Sequence, residues 1–306
     1  MARFGGGTRR LLARTALALA TCAAAVAAVV VATEGGTFPG APAPTVTLAP
    51  AAAAVGCETA GPYRAPDRGS IGVPAGLGEL CTSGPATISV AGVVLDGWDV
   101  QGGIVVDAPD VVVRRSRITG DGATPYGIVT TAAGAVRIED VTFTGDFSEA
   151  AIGGDRWSGE RVEIVGVTHD GARLGDGARL RNSSVHDFAP APGGESHALV
   201  LRGTGDDVLV EDNRIELGDG PGRGSAVLLL PDRAGRRAEG PVVIRGNILG
   251  GGRFTLQQDS PAAVVTDMSV TGNRFRRGAG EAPLRVSRRA VLDNNTYLDG
   301  GPLPPR

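Results

Sequence analysis

Lysine is missing from this 306-residue chain, so all 30 of its basic residues are arginines. That absence excludes any mechanism that relies on a lysine base or a lysine Schiff base. Aromatic residues make up only 4% of the chain, and there are three histidines and three cysteines. A net charge of −3 gives no basic footprint for nucleic acid. No CxxC pair, zinc-spaced histidine pair or phosphate-binding loop occurs, so the sequence predicts no zinc or nucleotide site.

The N-terminal residues have the order of an export signal. Arginines at positions 3, 9, 10 and 14 precede an uncharged apolar run from Thr15 to Ala32. The run is about 18 residues long, so residues 1–32 are either a cleaved signal peptide or an uncleaved signal anchor. We expect a secreted or extracellular protein that meets a membrane only through this segment. Residues 33–56 are rich in proline and alanine, which favours a linker.

Two cysteines downstream of the apolar run favour a disulfide. Cys22 lies inside the run, which leaves Cys57 and Cys81 as a pair. In an exported chain the simplest interpretation is a bridge that closes a cap over residues 57–84. Two free thiols are the alternative.

Residues 85–299 repeat an eight-residue pattern, and residues 300–306 form a short tail. Each segment has apolar residues at its first, third and eighth positions, the alternation of half-buried strands. The single exception is His169, at the eighth position of the fourth segment. Short apolar strands lie in most of the glycine-rich gaps. The pattern predicts an all-β, right-handed parallel β-helix of about nine coils. The segments are 93–100, 111–118, 136–143, 162–169, 178–185, 208–215, 242–249, 268–275 and 290–297.

Two columns of the aligned segments predict how neighbouring coils hold together. The sixth column ends in Asn213, Asn247, Asn273 and Asn295, for which we expect a ladder of stacked amides at a coil corner. In the fourth column, with Val165 as the member from the fourth segment, neighbouring charges alternate in sign. The opposite charges of neighbouring residues in such a column neutralise one another, so we expect no site for an anionic sugar there.

Several segments resemble a known group of exported proteins. Over roughly residues 57–299 the chain resembles right-handed parallel β-helix proteins of the pectate-lyase-like superfamily. That resemblance implies the fold and a polysaccharide partner, but the superfamily contains lyases, hydrolases, epimerases and non-catalytic spikes. Two functions therefore stay open: binding or processing of an acidic or cell-wall polysaccharide, and a structural or adhesive surface module. The segments that carry the resemblance are Gly72–Gly76, Val111–Ile118, His169–Gly171, Val185–Asp187 and Val210–Ile215.

The catalytic patterns that the resemblance implies are incomplete in this chain. Calcium-dependent lyases of the superfamily use an acidic cluster, for which Asp155, Asp170 and Glu195 are the candidates, so calcium stays open as a cofactor. Hydrolases of the superfamily carry a Gly-His-Gly and an Arg-x-Lys, and neither is present. If the protein is an enzyme, the resemblance favours a polysaccharide lyase or a glycoside hydrolase.

The candidate site is a groove near the third to sixth segments, where all three histidines fall. A histidine beside a carboxylate supplies an acid and a base, and an arginine can hold a uronate carboxylate. The turn Phe188–Ser196 is the expected lip of the groove. The catalytic candidates are His186, His197 and Asp170, and the glycan-binding candidates are Asp155, Arg173, Arg202 and Trp157, the last as an aromatic platform.

A structural interpretation competes with this site. Asp170, Asp187 and Asn213 then only shape turns, and His169 is a packed core residue. In a lyase without lysine, an arginine would have to be the base, and its very high pKa makes that difficult. We therefore expect binding more than bond cleavage.

Overall fold

A computed structural model describes residues 45–46, 54–61, 70–203, 205–231, 235–258, 265, 267–278 and 280–305. These residues form thirty short strands and one 3-10 turn, Glu58–Ala60. Each strand pairs in parallel with the strand three positions later in the chain, which produces three ten-stranded parallel sheets. The parallel β-helix predicted from the repeat is thus confirmed. Within the described ranges, no helix is long and apolar enough to cross a membrane.

We name the three sheets A, B and C in the order in which the chain visits them. Sheet A contains β1 (Thr45–Val46), β4 (Ala86–Ile88), β7 (Ile104–Val106), β10 (Tyr126–Thr130), β13 (Ala150–Gly153), β16 (Asp170–Arg173), β19 (Leu199–Arg202), β22 (Ser225–Leu230), β25 (Phe254–Gln258) and β28 (Ala282–Arg285). Sheet B contains β2 (Ala54–Gly56), β5 (Val94–Asp96), β8 (Val111–Arg114), β11 (Val136–Glu139), β14 (Trp157–Glu160), β17 (Arg179–Arg181), β20 (Val208–Glu211), β23 (Val242–Arg245), β26 (Met268–Thr271) and β29 (Val291–Asp293). Sheet C contains β3 (Cys81–Ser83), β6 (Trp98–Gln101), β9 (Arg117–Asp121), β12 (Thr142–Asp146), β15 (Glu163–Val165), β18 (Ser184–His186), β21 (Arg214–Glu216), β24 (Ile248–Gly250), β27 (Arg274–Phe275) and β30 (Thr296–Tyr297).

The core is a set of aliphatic columns that run the length of the solenoid. Ile128 of sheet A, for example, lies between Ile104 and Ile152 in the neighbouring coils, and all three are fully buried. Each such side chain contributes roughly 1.5–3 kcal/mol through removal from water. The buried residues at the first, third and eighth positions of the repeat stack in the same way, because sheets B and C also pair in register from coil to coil.

The corner between sheets B and C depends on a left-handed residue. The fifth position of the repeat has a positive φ in nine coils, which explains why glycine, asparagine and aspartate are frequent there. Arginine also occupies this position, and Arg161 compensates by binding both carboxylate oxygens of Asp140 in the coil before, at 2.6 and 3.0 Å. The nine residues are Gly97, Arg115, Asp140, Arg161, Asn182, Asp212, Gly246, Gly272 and Asn294.

The asparagine ladder predicted at this corner is confirmed. The backbone N–H of Asn213 donates to Oδ1 of Asn247, and that of Asn247 donates to Oδ1 of Asn273, at 2.9 and 3.0 Å. The side-chain amides repeat the same step at 2.9 Å each. Asn295 accepts the last step, and Ser183 begins the ladder by donating its backbone N–H to Asn213.

The fourth segment has a different register from the predicted one. Trp157 pairs with Val136 of β11, so the segment is 157–164 and not 162–169. The third position is therefore Gly159, where an added Cβ would lie 2.9 Å from Leu180 Cδ1. Leu180 and Val162, with the indole of Trp157 beside them, leave little room for the usual apolar side chain. Ile164 takes the eighth position, so His169 is no longer an exception.

This shift also corrects the fourth column. Its member from the fourth segment is Glu160, not Val165, and Glu160 lies directly beside Glu139. The predicted alternation of charge is wrong at this step. Elsewhere the column does pair, with Arg114 at 2.9 Å from Asp96 and Arg181 at 3.1 Å from Glu211.

Cys57 and Cys81 form the predicted disulfide. The bridge joins the end of β2 to the start of β3, and a disulfide is typical of an oxidising compartment. The strands β1 and β2 lie inside the predicted linker, and β3 lies inside the predicted cap, so paired strands begin upstream of residue 85. The predicted export segment, residues 1–32, lies outside the described residues.

Candidate functional site

The structure divides the three histidines between different parts of the coil. His186 ends β18 in sheet C, where its Nε2 is 3.6 Å from Glu163 Oε1 and its Nδ1 is 2.8 Å from Asp187 Oδ2. His197 lies just before β19 in sheet A, with its Nδ1 3.3 Å from Asp170 Oδ1. His186 and His197 therefore lie on different sheets and contact different carboxylates, so the expectation of one site with both stays a prediction.

His169 is not a core residue either. Its side chain is 39% exposed, and its Nδ1 lies 3.6 Å from Asp146 Oδ1 and 3.1 Å from Thr168 Oγ1. It sits at the turn from sheet C into sheet A, one residue before β16. The interpretation of His169 as packed core came from the wrong register of the fourth segment.

Five side chains that meet on the outer face of sheet A form what we call the sheet A cluster. They come from four successive coils, which the parallel pairing brings side by side. The cluster consists of Tyr126, Glu149, Asp170, Arg173 and His197.

The local sequence of β16 explains why its two charged residues point outward together. Ala172 is fully buried, and a Cβ added to Gly171 would meet core atoms of Val185 and Phe188. Two consecutive small residues thus face the core. The flanking Asp170 and Arg173 consequently lie on the same outer face, with Arg173 Nη2 3.4 Å from Asp170 Oδ2.

Asp170 links β16 to the next coil. Its Oδ1 accepts the backbone N–H of His197 at 3.2 Å and lies 3.3 Å from the Nδ1 of the same residue. This contact fixes the orientation of the imidazole, whose Nε2 is 4.0 Å from Oε1 of the exposed Glu195. A histidine held by a carboxylate in this way has a defined ring orientation.

Arg173 is the centre of the cluster. Its Nη1 lies 2.7 Å from Glu149 Oε2 and donates to Tyr126 Oη at 3.2 Å, and its guanidinium lies 5.8 Å from the centroid of that ring. Burial alone would lower the pKa of Arg173, but the nearby Tyr126, Asp170 and Glu149 raise it above its ordinary value. Burial also raises the pKa of Tyr126. Both groups therefore keep their protons at neutral pH.

Two glycines make room for the rings of the cluster. A Cβ at Gly153 would lie 2.5 Å from Tyr126 Cε1, and a Cβ at Gly224 would lie 2.2 Å from His197 Nε2. Each ring therefore lies directly on the backbone of a neighbouring coil. Tyr126 and Glu149 were missed in the sequence, although Tyr126 precedes the buried Gly127 just as Asp170 precedes Gly171.

The predicted glycan-binding residues have different roles. Trp157 is 1% exposed, and its Nε1 donates to the carbonyl oxygen of Arg173 at 3.1 Å, so it is not available as a platform. Asp155 lies at the corner between sheets A and B, where its Oδ1 accepts the backbone N–H of Asp176 at 2.9 Å. Arg202 is exposed at the end of β19, on the same outer face as Arg173.

The described residues contain no group of three or more His, Cys, Asp or Glu side chains arranged to hold a metal ion. Of the three calcium candidates, Asp170 lies in the sheet A cluster and Asp155 at the corner between sheets A and B. Glu195 belongs to the turn before β19.

No model of a protein family matches this chain, and no curated protein matches it significantly. Among solved structures, the chain is similar to a tailspike protein of the Acinetobacter baumannii bacteriophage Fri1, described as a capsular polysaccharide depolymerase. The identity is 9% and the TM-score is 0.35. The match covers 71% of this chain and 52% of the tailspike chain, so this chain spans about half the length of that protein.

Proposed function

We propose that the protein is an exported β-helix of the pectate-lyase-like superfamily that binds an extracellular polysaccharide on the outer face of sheet A. The observation that carries the proposal is the sheet A cluster. It combines a tyrosine ring, an oriented imidazole and a guanidinium on one face. Polar groups that converge beside an apolar ring are the usual components of a site for a small polar ligand. The sequence motifs quoted above support the superfamily.

The contacts of the cluster support binding more than bond cleavage. Arg173 cannot serve as a base, because its pKa is raised. Both carboxylate oxygens of Asp170 are engaged, one by His197 and one by Arg173. Glycosidases use two carboxylates that face the scissile bond. His197 is the one side chain of the cluster with the orientation that proton transfer requires.

One observation favours the second candidate, a non-catalytic structural module. Asp170 accepts a backbone N–H from the next coil, and Arg173 joins it to Glu149 and Tyr126 of the two preceding coils. These contacts link coils whether or not a ligand binds. A stiff rod would need no more than such links and a packed core.

His197→Ala, with His186→Ala as its matched control, tests the proposal. Both histidines contact carboxylates, but only His197 lies in the sheet A cluster. The ligand is taken from a glycan-array screen of the purified domain, and its Kd is measured by calorimetry. We expect His197→Ala to raise the Kd about tenfold, the effect of one lost hydrogen bond to a polar ligand. His186→Ala should leave it unchanged.

Two results would overturn the proposal. One is an array on which no glycan binds the folded domain. The other is a Kd that both histidine variants leave unchanged, which would favour the structural module.

A further inference from the structure

Further along sheet A, the ring of Phe254 lies between two arginines. The guanidinium carbons of Arg253 and Arg285 are 5.7 and 5.3 Å from its centroid. Phe254 is 6% exposed, so little of its ring is left to contact a ligand directly. Contact with an aromatic face holds a guanidinium in place and leaves its N–H donors free to bind a ligand.

The arginines on this face differ in their partners. Arg173 is engaged by Glu149, Asp170 and Tyr126, and Arg253 is paired with Glu281. Among the described residues, Arg285 contacts the ring of Phe254 but no carboxylate and no hydrogen-bond acceptor. Its donors are therefore available to an anionic group, whereas both terminal nitrogens of Arg173 already contact Glu149, Asp170 or Tyr126.

Arg173 and Arg285 lie at the two ends of one straight row. Pairing places Arg173, Val200, Leu228, Gln257 and Arg285 at the same register in five successive strands. The four steps of about 4.8 Å make the row about 19 Å long. One step is close to the length of one pyranose unit in an extended chain. Ser225 Oγ donates to Gln257 Oε1 at 2.7 Å, which leaves the amide N–H groups of Gln257 as donors beside Arg285.

We propose that Arg285 binds an isolated uronate carboxylate of a polysaccharide that lies along this row, while uncharged sugars occupy the end at Arg173. The inference rests on the proposed function. It names the ligand as an acidic heteropolysaccharide with widely spaced carboxylates, and not a homopolymer of uronates. A carboxylate on every sugar would place negative charge against Glu149, Asp170 and the 68%-exposed Glu195.

Two more cations lie near the row. Arg223 donates its Nη2 to the carbonyl oxygen of Phe188 at 2.7 Å and is tied to that turn. Arg202 lies one outward position further along β19 than Val200. Arg202 pairs with Leu230, away from the three carboxylates. Arg223 pairs with Ser196 beside Glu195, but its Nη2 is engaged by the turn, and it is not paired with Glu149 or Asp170.

The test compares Arg285→Ala with Arg288→Ala, an exposed arginine of the same coil that lies outside sheet A. The probes are oligosaccharides of gellan, which carries one glucuronate in each four-sugar repeat, of polygalacturonate, and of a neutral β-glucan. For wild type, we expect gellan to bind more tightly than polygalacturonate. Arg285→Ala should raise the Kd for gellan about tenfold and leave that for the neutral glucan unchanged. Arg288→Ala should change neither.

Equal losses in the two arginine variants would overturn the inference, because the effect would then be general attraction of charge. Tightest binding to polygalacturonate would overturn it as well, as would a Kd for gellan unaffected by Arg285→Ala. In each case binding that still depends on His197 leaves the proposed function standing. If an array ligand binds and none of the three probes does, only the inference fails.

Discussion

At the scale of single residues, the smallest side chains decide where the chemically active ones lie. Gly153 occupies the same register as Val129 of the previous coil, and a side chain there would fill the space of the Tyr126 ring. A side chain at Gly224 would likewise fill the space of the His197 imidazole. The cluster therefore depends on residues that carry no chemistry of their own, which a search for charged and aromatic residues does not find.

Gly153→Ala tests this dependence. The added Cβ would lie 2.5 Å from Tyr126 Cε1, so the ring must move away from Arg173 towards solvent. Burial raises the pKa of Tyr126, and exposure therefore lowers it towards its ordinary value. The contribution of Tyr126 to the phenolate absorbance is the part of the titration that is lost in Tyr126→Phe. We expect this contribution to appear at lower pH in Gly153→Ala than in wild type. Gly84→Ala, at a position with open space around it, is the control. An unshifted titration would show that the ring does not rest on Gly153.

At the scale of elements, the asparagine ladder replaces apolar packing at one corner of the coil. Asn247 is fully buried and accepts two hydrogen bonds from Asn213 while it donates to Val210 and Asn273. All its polar atoms are satisfied by neighbouring coils, so the corner needs no water. The ladder also orders the turns that begin β21, β24, β27 and β30 of sheet C.

Asn247→Ala should destabilise the solenoid more than Asn295→Ala. The first leaves the buried backbone N–H of Asn213 without its acceptor, and an unsatisfied buried group costs roughly 1–3 kcal/mol. Asn295→Ala removes the same acceptor from Asn273, but Asn295 is half-buried, so water can replace it, and its amide donates only to the carbonyl of Val270. We expect a loss of about 3 kcal/mol for Asn247→Ala and about 1 kcal/mol for Asn295→Ala, measured by urea unfolding. Equal losses would mean that the ladder adds nothing beyond local packing.

The sequence predicted the strands and the ladder because both repeat with a fixed period. The fourth segment was misplaced because two residues depart from the period together. Trp157 takes the first position, and Gly159 takes a third position that is apolar in the other coils but is crowded here by Leu180 and Val162. A search for apolar residues at fixed positions prefers 162–169, where the rule is almost satisfied. Only the pairing with Val136 shows that the segment begins at Trp157.

The candidate site was harder to predict than the fold, because closeness in sequence differs from closeness in a solenoid. His186 and His197 are near in sequence, but the chain turns from sheet C to sheet A between them. Tyr126 is far from Asp170 in sequence, yet each is the first residue of a strand of sheet A, and both lie on one face. Asp170 begins β16 and His197 lies just before β19, so the two form a neighbouring acid–base pair with 3.3 Å between Oδ1 and Nδ1. Its catalytic role stays a prediction.

At the scale of the whole molecule, each coil of a solenoid contacts mainly its neighbours, so effects of a change stay local. The segment between Cys57 and Cys81 is an exception. Among its described residues, Gly72 donates its backbone N–H to the carbonyl oxygen of Arg161, several coils away from the disulfide, at 2.8 Å. Val73 donates to Thr142 Oγ1 at 2.9 Å. The disulfide thus closes a loop that connects the first strands to β12 and β14.

Removal of the disulfide should therefore loosen one half of the solenoid and leave the other unchanged. Closure of a loop of this length restricts the unfolded chain and is worth about 3 kcal/mol. In Cys57→Ser/Cys81→Ser, we expect amide hydrogen exchange to become faster in β3, in β6 and at Gly72 and Val73. The strands from β23 to β30 should exchange as in wild type. Among the described residues, no contact of the loop between Cys57 and Cys81 reaches these strands. Wild type treated with a reductant should behave like the double variant. Uniformly faster exchange over all thirty strands would contradict this expectation, since it would show that the coils unfold as one cooperative unit.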